Sequence, residues 1–185
     1  MKTSITEFRK MIQLNLLVLL VFTTQSCETE IPPEDPTPPE FSFRITGDGF
    51  DHTFNQDTNF NTFTLMLRRG VTYNYTFTGT DQGGVDYIGW YATHFDRIWV
   101  DPAVPSPWAF RHLTGSYSSV EWYGDRSNPY TGSIVTGSFR TQGTGNDANF
   151  RFVVEDFGGE IRMPNRDSGD LSIYIGSHNT RIRNN

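Results

Sequence analysis

From Phe41 onward, large apolar residues recur at every second position. In Val71-Thr72-Tyr73-Asn74-Tyr75-Thr76-Phe77 the bulky side chains alternate with Thr and Asn, the period of a β-strand with one buried face. The same alternation at Phe41/Phe43/Ile45, Phe63/Leu65/Leu67, Phe150/Phe152/Val154 and Leu171/Ile173/Ile175 predicts four more strands. Ile88, Trp90 and Ala92 mark one face of a further strand, and Val120/Trp122 and Ile134 mark weaker ones. No window carries ten or more residues at helical spacing between capping residues. The 17 glycines and 10 prolines fall between the runs, as many short strands joined by turns require. The pattern predicts one all-β domain over residues 41–185.

The chain before Phe41 is patterned differently. Lys2, Arg9 and Lys10 precede an apolar run from Met11 to Phe22, and Thr23-Thr24-Gln25-Ser26-Cys27 closes it. Interrupted by Gln13 and Asn15, the run is shorter than the roughly 20 apolar residues a membrane-crossing helix needs, so it targets the chain rather than spanning a bilayer. This stretch resembles a bacterial lipoprotein signal. It has Thr24 where Leu is usual, a relaxed form similar to those of Bacteroidota, and Glu28-Thr29-Glu30 resembles their surface-export signal. The resemblance implies a signal peptide over 1–26, diacylglycerol on the Cys27 thiol, and a lipid-anchored outer-membrane protein facing the cell exterior. The alternative is an ordinary secretory signal followed by a free thiol. Cys27 is the only cysteine, so its acylation would leave the domain no thiol for a disulfide, a thiolate metal site or a nucleophile.

Residues 27–40 hold five prolines with acids between them, a composition that favours extended polyproline conformation. The expectation is a spacer holding the domain a few tens of Å off the bilayer, at ~3 Å per residue. Without the signal, 12 basic and 20 acidic residues remain, and five of the acids lie in this tether. From Phe41 on the balance is 12 against 15, a net −3. A nearly neutral domain argues against a nucleic-acid partner or an anionic-membrane footprint.

Two junctions share a pattern, Thr80-Asp81-Gln82-Gly83-Gly84-Val85 and Glu155-Asp156-Phe157-Gly158-Gly159-Glu160. In each, an Asp can accept backbone N–H bonds and a Gly pair can supply positive φ, which predicts a short bulged hairpin. No helix follows either one, so neither is a phosphate loop. On these residues, Tyr75 to Val85 and Val154 to Gly159, the chain resembles bacterial immunoglobulin-like modules. The resemblance implies an antiparallel two-sheet β-sandwich without the inter-sheet cysteines of antibody domains. Lipobox and single domain together are also similar to small lipoproteins of Bacteroidota conjugative transposons.

Candidate chemistry concentrates between Trp90 and Tyr130, where all four tryptophans lie. Trp99 and Trp108 flank the proline-rich stretch Asp101 to Pro107, which cannot be a central strand. Trp99, Asp101, Trp108, Trp122, Tyr123 and Asp125 are the predicted ligand-binding set, with Glu121 and Asn128 nearby. Aromatic rings can stack on the apolar face of a sugar while carboxylates and amides bind its hydroxyls. The competing expectation is a loop pinned to the sandwich by its own tryptophans. His94 and Asp96 would share a strand face but lack a third partner, and His52, His112 and His178 are scattered, so no zinc site is predicted. The turns Asp48-Gly-Phe-Asp51, Gly145-Asn-Asp147 and Asp167-Ser-Gly-Asp170 raise calcium, but none matches an EF-hand loop. No G-x-S-x-G motif is present. The sequence therefore predicts a binding or assembly module with no catalytic residue, metal or cofactor, whose partner is a glycan or a protein, including one in a secretion or conjugation assembly.

Overall fold

A computed structural model describes residues 30–94, 96–113 and 117–185, without the side chains of Asn146 and Asp147. Cys27, the signal segment and Phe95 lie outside the described residues. Twelve strands form two sheets. The first has the order β2 (Phe50–Asn55), β1 (Glu40–Gly47), β4 (Thr72–Thr80), β9 (Gly132–Thr141), β6 (Ile98–Val100). The second runs β12 (Arg181–Asn184), β3 (Phe63–Arg68), β11 (Arg166–Gly176), β10 (Gly145–Asp156), β5 (Val85–Thr93), β8 (Tyr117–Tyr123), β7 (Ala109–Leu113). The fold is the expected immunoglobulin-like β-sandwich. Among the described residues, the one departure from antiparallel pairing is β3 beside β11, where Ile173 lies opposite Leu65 in parallel register. A single turn of 3-10 helix, Phe60–Thr62, precedes β3.

The alternating residues meet between the sheets. Phe43 and Phe77 from the first sheet and Trp90, Phe150 and Phe152 from the second are at most 1% exposed. Phe43 is the hub, with ring centroids 4.7 Å from Phe152, 5.1 Å from Trp90 and 5.8 Å from each of Tyr75, Phe77 and Phe150. Offset and edge-on contacts of this kind add stabilisation beyond area burial. Ile134 does not belong to the core. It is 59% exposed, and its neighbours Val135 and Phe139 carry the inner face of β9.

The two Asp-Gly-Gly junctions make the predicted local bonds. Gly83 N donates to Asp81 Oδ1 at 2.7 Å, and Gly158 N donates to Asp156 Oδ1 at 2.7 Å. Neither is a short hairpin. Residues 81–84 carry the chain from the first sheet to the second, because β4 and β5 lie in different sheets. Residues 157–165 form a longer loop between β10 and β11. Local turn chemistry was legible there, while the destination of the chain depended on packing.

The proline-rich segment is not wholly a spacer. Glu160 N donates to the carbonyl oxygens of Pro32 and Pro33 at 2.9 and 3.2 Å, and Asn165 Nδ2 donates to those of Asp35 and Thr37. Pro39 is buried and Pro32 and Asp35 half-buried. From Pro32 the segment is seated on the domain, at the end where both Asp-Gly-Gly junctions lie.

Candidate functional site

The outward faces of the two sheets differ in chemistry. On the first sheet Ser42, Arg44, Thr76, Thr78, Thr136 and Ser138 occupy outward register positions, the ordinary polar covering of a sandwich. On the second, four tyrosines gather: Tyr87 and Tyr91 on β5, Tyr117 and Tyr123 on β8. Register explains it, since Tyr87 pairs with Tyr123 and Thr93 with Tyr117, with Gly89 opposite Glu121 between them. Gly89 is needed there because a Cβ would come within 2.2 Å of the Tyr87 hydroxyl.

Beneath these rings Glu121 is only 4% exposed, although it points away from the core. Its carboxylate accepts from Ser119 Oγ at 2.8 Å and Tyr123 OH at 3.0 Å, and pairs with Arg111 Nε across 3.1 Å. The Arg111 guanidinium also stands 6.0 Å from the Tyr123 ring centroid, within cation–π range. Tyr87 and Tyr91 share a hydrogen bond between their hydroxyls. Burial is the main cause raising the Tyr87, Tyr91 and Tyr123 phenols above the ordinary tyrosine range. All three stay protonated at physiological pH and present neutral O–H groups. The rings wall two hollows that share Tyr91, Val153 and Arg166. One, of about 390 Å³, is lined also by Tyr117, Asn149, Arg151 and Asp170. The other, of about 350 Å³, is lined also by Tyr87, Tyr123 and Glu155. Arg166 holds Glu155 at 3.0 Å.

The structure does not bring the predicted ligand-binding set together. Trp122 is a 4% exposed core residue on the inner face of β8. Trp108 is 6% exposed, packs 6.4 Å from Phe77 and donates from Nε1 to Ser133 Oγ at 3.1 Å. That tryptophan pins the proline-rich loop. Asp101 closes a local turn by accepting from Ala103 N at 3.0 Å, and Asp125 accepts from Ser127 N at 2.8 Å. Trp99 is half exposed at the edge of the first sheet, beside Pro102, Phe110 and His112 in an apolar cleft of about 420 Å³. Tyr123 alone of the set lies on the tyrosine face. Tyr87, Tyr91 and Tyr117 were missed as site residues. The available signal was large aromatics at the supposedly polar positions of a strand, here opposite Ile88, Trp90 and Ala92.

The described carboxylates of the turns that raised calcium are committed or dispersed, and the Asp147 side chain lies outside the described part of the structure. Asp48 is held by Thr180 and Arg68, and Asp51 by Arg44. Asp167 and Asp170 lie within β11, not in a turn. A different trio converges where the tether docks. Carboxylate oxygens of Asp35, Asp81 and Asp156 lie within 4.8 Å of one another. Three carboxylates suit a hard cation, which takes six to eight oxygens, but Asp156 already accepts from Gly158 N, Asn165 N and Asn165 Nδ2. Burial first, then the charges of Asp35 and Asp156, push the Asp81 carboxyl up to about 6. The folded state thus holds this proton more tightly than the unfolded chain, where Asp titrates near 3.9. The resulting stability is fully present below about pH 4 and lost as pH rises through about 6. Asp81→Asn keeps the acceptor for Gly83 N and removes the charge. It should raise stability at pH 7.5 by about 1 kcal/mol and leave it unchanged near pH 3.5, as read by thermal melts at the two pH values.

No family model matches the sequence, and no curated protein does. Solved structures similar to the fold include a cohesin module from a Clostridium perfringens family 33 glycoside hydrolase, at 6% identity and TM-score 0.33, covering 62% of this chain and 98% of that one. A non-cellulosomal cohesin from the archaeon Archaeoglobus fulgidus has 14% identity and TM-score 0.32, covering 60% and 91%. AvmM, which catalyzes macrocyclization in alchivemycin A biosynthesis, has 10% identity and TM-score 0.31, covering 72% and 96%. No residue role is carried over from any of them.

Proposed function

We propose that this chain is a lipid-anchored, surface-exposed, non-catalytic binding module that engages a protein partner through the tyrosine face of its second sheet. The observation that carries the reading is the contrast between the two outward faces. Apart from Ile134 and the edge residue Trp99, the outward positions named on the first sheet are Ser, Thr and Arg, whereas the second sheet sets four tyrosines and Arg111 around a buried Glu121 that accepts two hydrogen bonds and one ion pair. Tyrosine and arginine are the residue types that dominate binding energy at interfaces, because they offer large area and a polar tip at low entropic cost. The hydrogen bond from Tyr123 and the ion pair with Arg111 tie both side chains to Glu121 before any partner arrives, which lowers the cost of association. The one imidazole–hydroxyl pair described on the second sheet, His112 Nδ1 with Ser118 Oγ at 3.0 Å, involves a serine only 3% exposed, out of reach of a substrate carbonyl.

The test is in-cell photo-crosslinking in the producing bacterium. A crosslinking residue at position 123 should give a discrete adduct, one at position 76 on the first sheet none, and Tyr91→Ala should weaken the adduct at least fivefold. Equal crosslinking from both faces would sink the assignment. The anchor is tested separately: radiolabelled fatty acid should enter the wild type and not Cys27→Ala.

A second reading, glycan capture, is favoured by the half-exposed Trp99 against Pro102 and Phe110. In that case the tryptophan emission of the protein shifts on titration with a binding glycan, and Trp99→Ala abolishes the shift. A glycan panel that leaves the emission unmoved removes this reading.

A further inference from the structure

We infer that the tether-bearing end of the sandwich, led by Ile161 and Met163, lies against the lipid surface to which the chain is anchored. The inference rests on the lipid anchor at Cys27 proposed above and adds the orientation and height of the domain.

The first support is chain length. Because the segment from Pro32 to Thr37 is bonded to Glu160 and Asn165, only Glu28, Thr29, Glu30 and Ile31 separate Cys27 from the seated chain. Four residues reach at most about 14 Å. A leash of a few tens of Å becomes a short hinge, and the end of the domain beside residues 157–165 is confined to the neighbourhood of the headgroups.

The second support is what that end displays. Ile161 is 56% and Met163 69% exposed, and both stand in the loop on which the tether is seated. Tyr130, 55% exposed, belongs to the same end, since Val85 N donates to its carbonyl at 3.0 Å. Single exposed apolar residues are ordinary, but these three lie where the anchor leaves the domain. An aliphatic pair with a nearby tyrosine suits the boundary between headgroups and acyl chains.

The loop is also held in place before any contact. Arg126 donates to the carbonyls of Phe157 and Gly159 at 2.9 and 2.6 Å, and Met163 N donates to that of Gly158 at 3.2 Å. Gly158 has φ 64°, and a Cβ there would come within 2.1 Å of the Met163 backbone. Ile161 and Met163 are therefore presented without an ordering cost at the surface. The carboxylates of Glu30, Glu34 and Glu160 at the same end outnumber the exposed Arg162 between Ile161 and Met163, so the fitting surface is zwitterionic rather than anionic.

The test uses the full acylated chain reconstituted into phosphatidylcholine vesicles carrying a nitroxide on the headgroup. With Cys27 consumed by lipid, Met163→Cys introduces the sole thiol for an environment-sensitive fluorophore. Ser177→Cys is the control. Ser177 follows the far end of β11, about 33 Å away along the strand. The label at 163 should be quenched at least threefold more than the label at 177. Equal quenching in vesicles that float with their protein overturns this orientation and leaves the anchor standing. Protein that fails to float overturns the anchor and the orientation with it.

Discussion

Phe43→Ala should lower the unfolding free energy by about 4 kcal/mol, within the roughly 3–5 kcal/mol measured for Phe-to-Ala changes in packed cores. Phe43 is fully buried and its ring meets Tyr75, Phe77, Trp90, Phe150 and Phe152. Those partners come from both sheets, so truncation opens a cavity at the seam that holds the sandwich together. The surrounding rings belong to strands fixed by backbone ladders on either side and cannot collapse into the gap. For a domain of this size the melting temperature should fall by on the order of 10 °C. A urea-derived unfolding free energy within about 0.5 kcal/mol of wild type would mean that the core is not centred on this residue.

Asp156→Ala should cost about 3 kcal/mol and release the tether. The carboxylate is fully buried and accepts from Gly158 N at 2.7 Å and from Asn165 N and Nδ2, both at 2.8 Å. Removing it leaves the buried Gly158 N without its acceptor and takes one acceptor each from the part-buried Asn165 N and Nδ2, each at about 1 kcal/mol. Asn165 is also the residue that donates to the Asp35 carbonyl, so the tether loses its seat along with the loop. Limited proteolysis within residues 31–39 should accelerate at least fivefold in the variant. Asp156→Asn keeps an acceptor for the two backbone N–H groups and should cost about half as much. If Asp156→Ala unfolds no more easily than wild type, the junction is not a buried network.

The alternation at Phe41/Phe43/Ile45 or Leu171/Ile173/Ile175 needed no tertiary information, because a strand with one buried face writes its period into the chain. The strands that escaped notice lack that imprint. β2 has a single fully buried residue, Phe54, β6 is three residues long, and β7 and β12 carry no buried residue. Ile134 is legible as a strand residue and lies in β9, but apolar character alone does not say which side of a strand is covered, and it faces solvent. The tryptophans show the same ambiguity. Trp108 and Trp122 are as aromatic in the sequence as Trp99, and only packing distinguishes a ring that pins a loop from one open to solvent.

The tyrosine face lay further out of reach. Tyr87, Tyr91, Tyr117 and Tyr123 come from strands separated by about 30 residues, and what unites them is cross-strand register, with Gly89 opposite Glu121. The proline-rich segment likewise declared its extended conformation, but not that Glu160 and Asn165 would capture it.

By itself, then, the sequence determined the all-β class, the identity of the main core residues, the bonds of the two Asp-Gly-Gly junctions and the presence of a single thiol in a signal-like context. Each follows from neighbours within a few positions, through side-chain alternation or local hydrogen bonding. Tertiary structure alone decided which sheet each strand joined, which aromatics remained in solvent, that four tyrosines would cover a buried glutamate, and how short the tether is. Those outcomes depend on contacts between residues far apart in the chain, where a shift of one position in register would send every side chain to the opposite face.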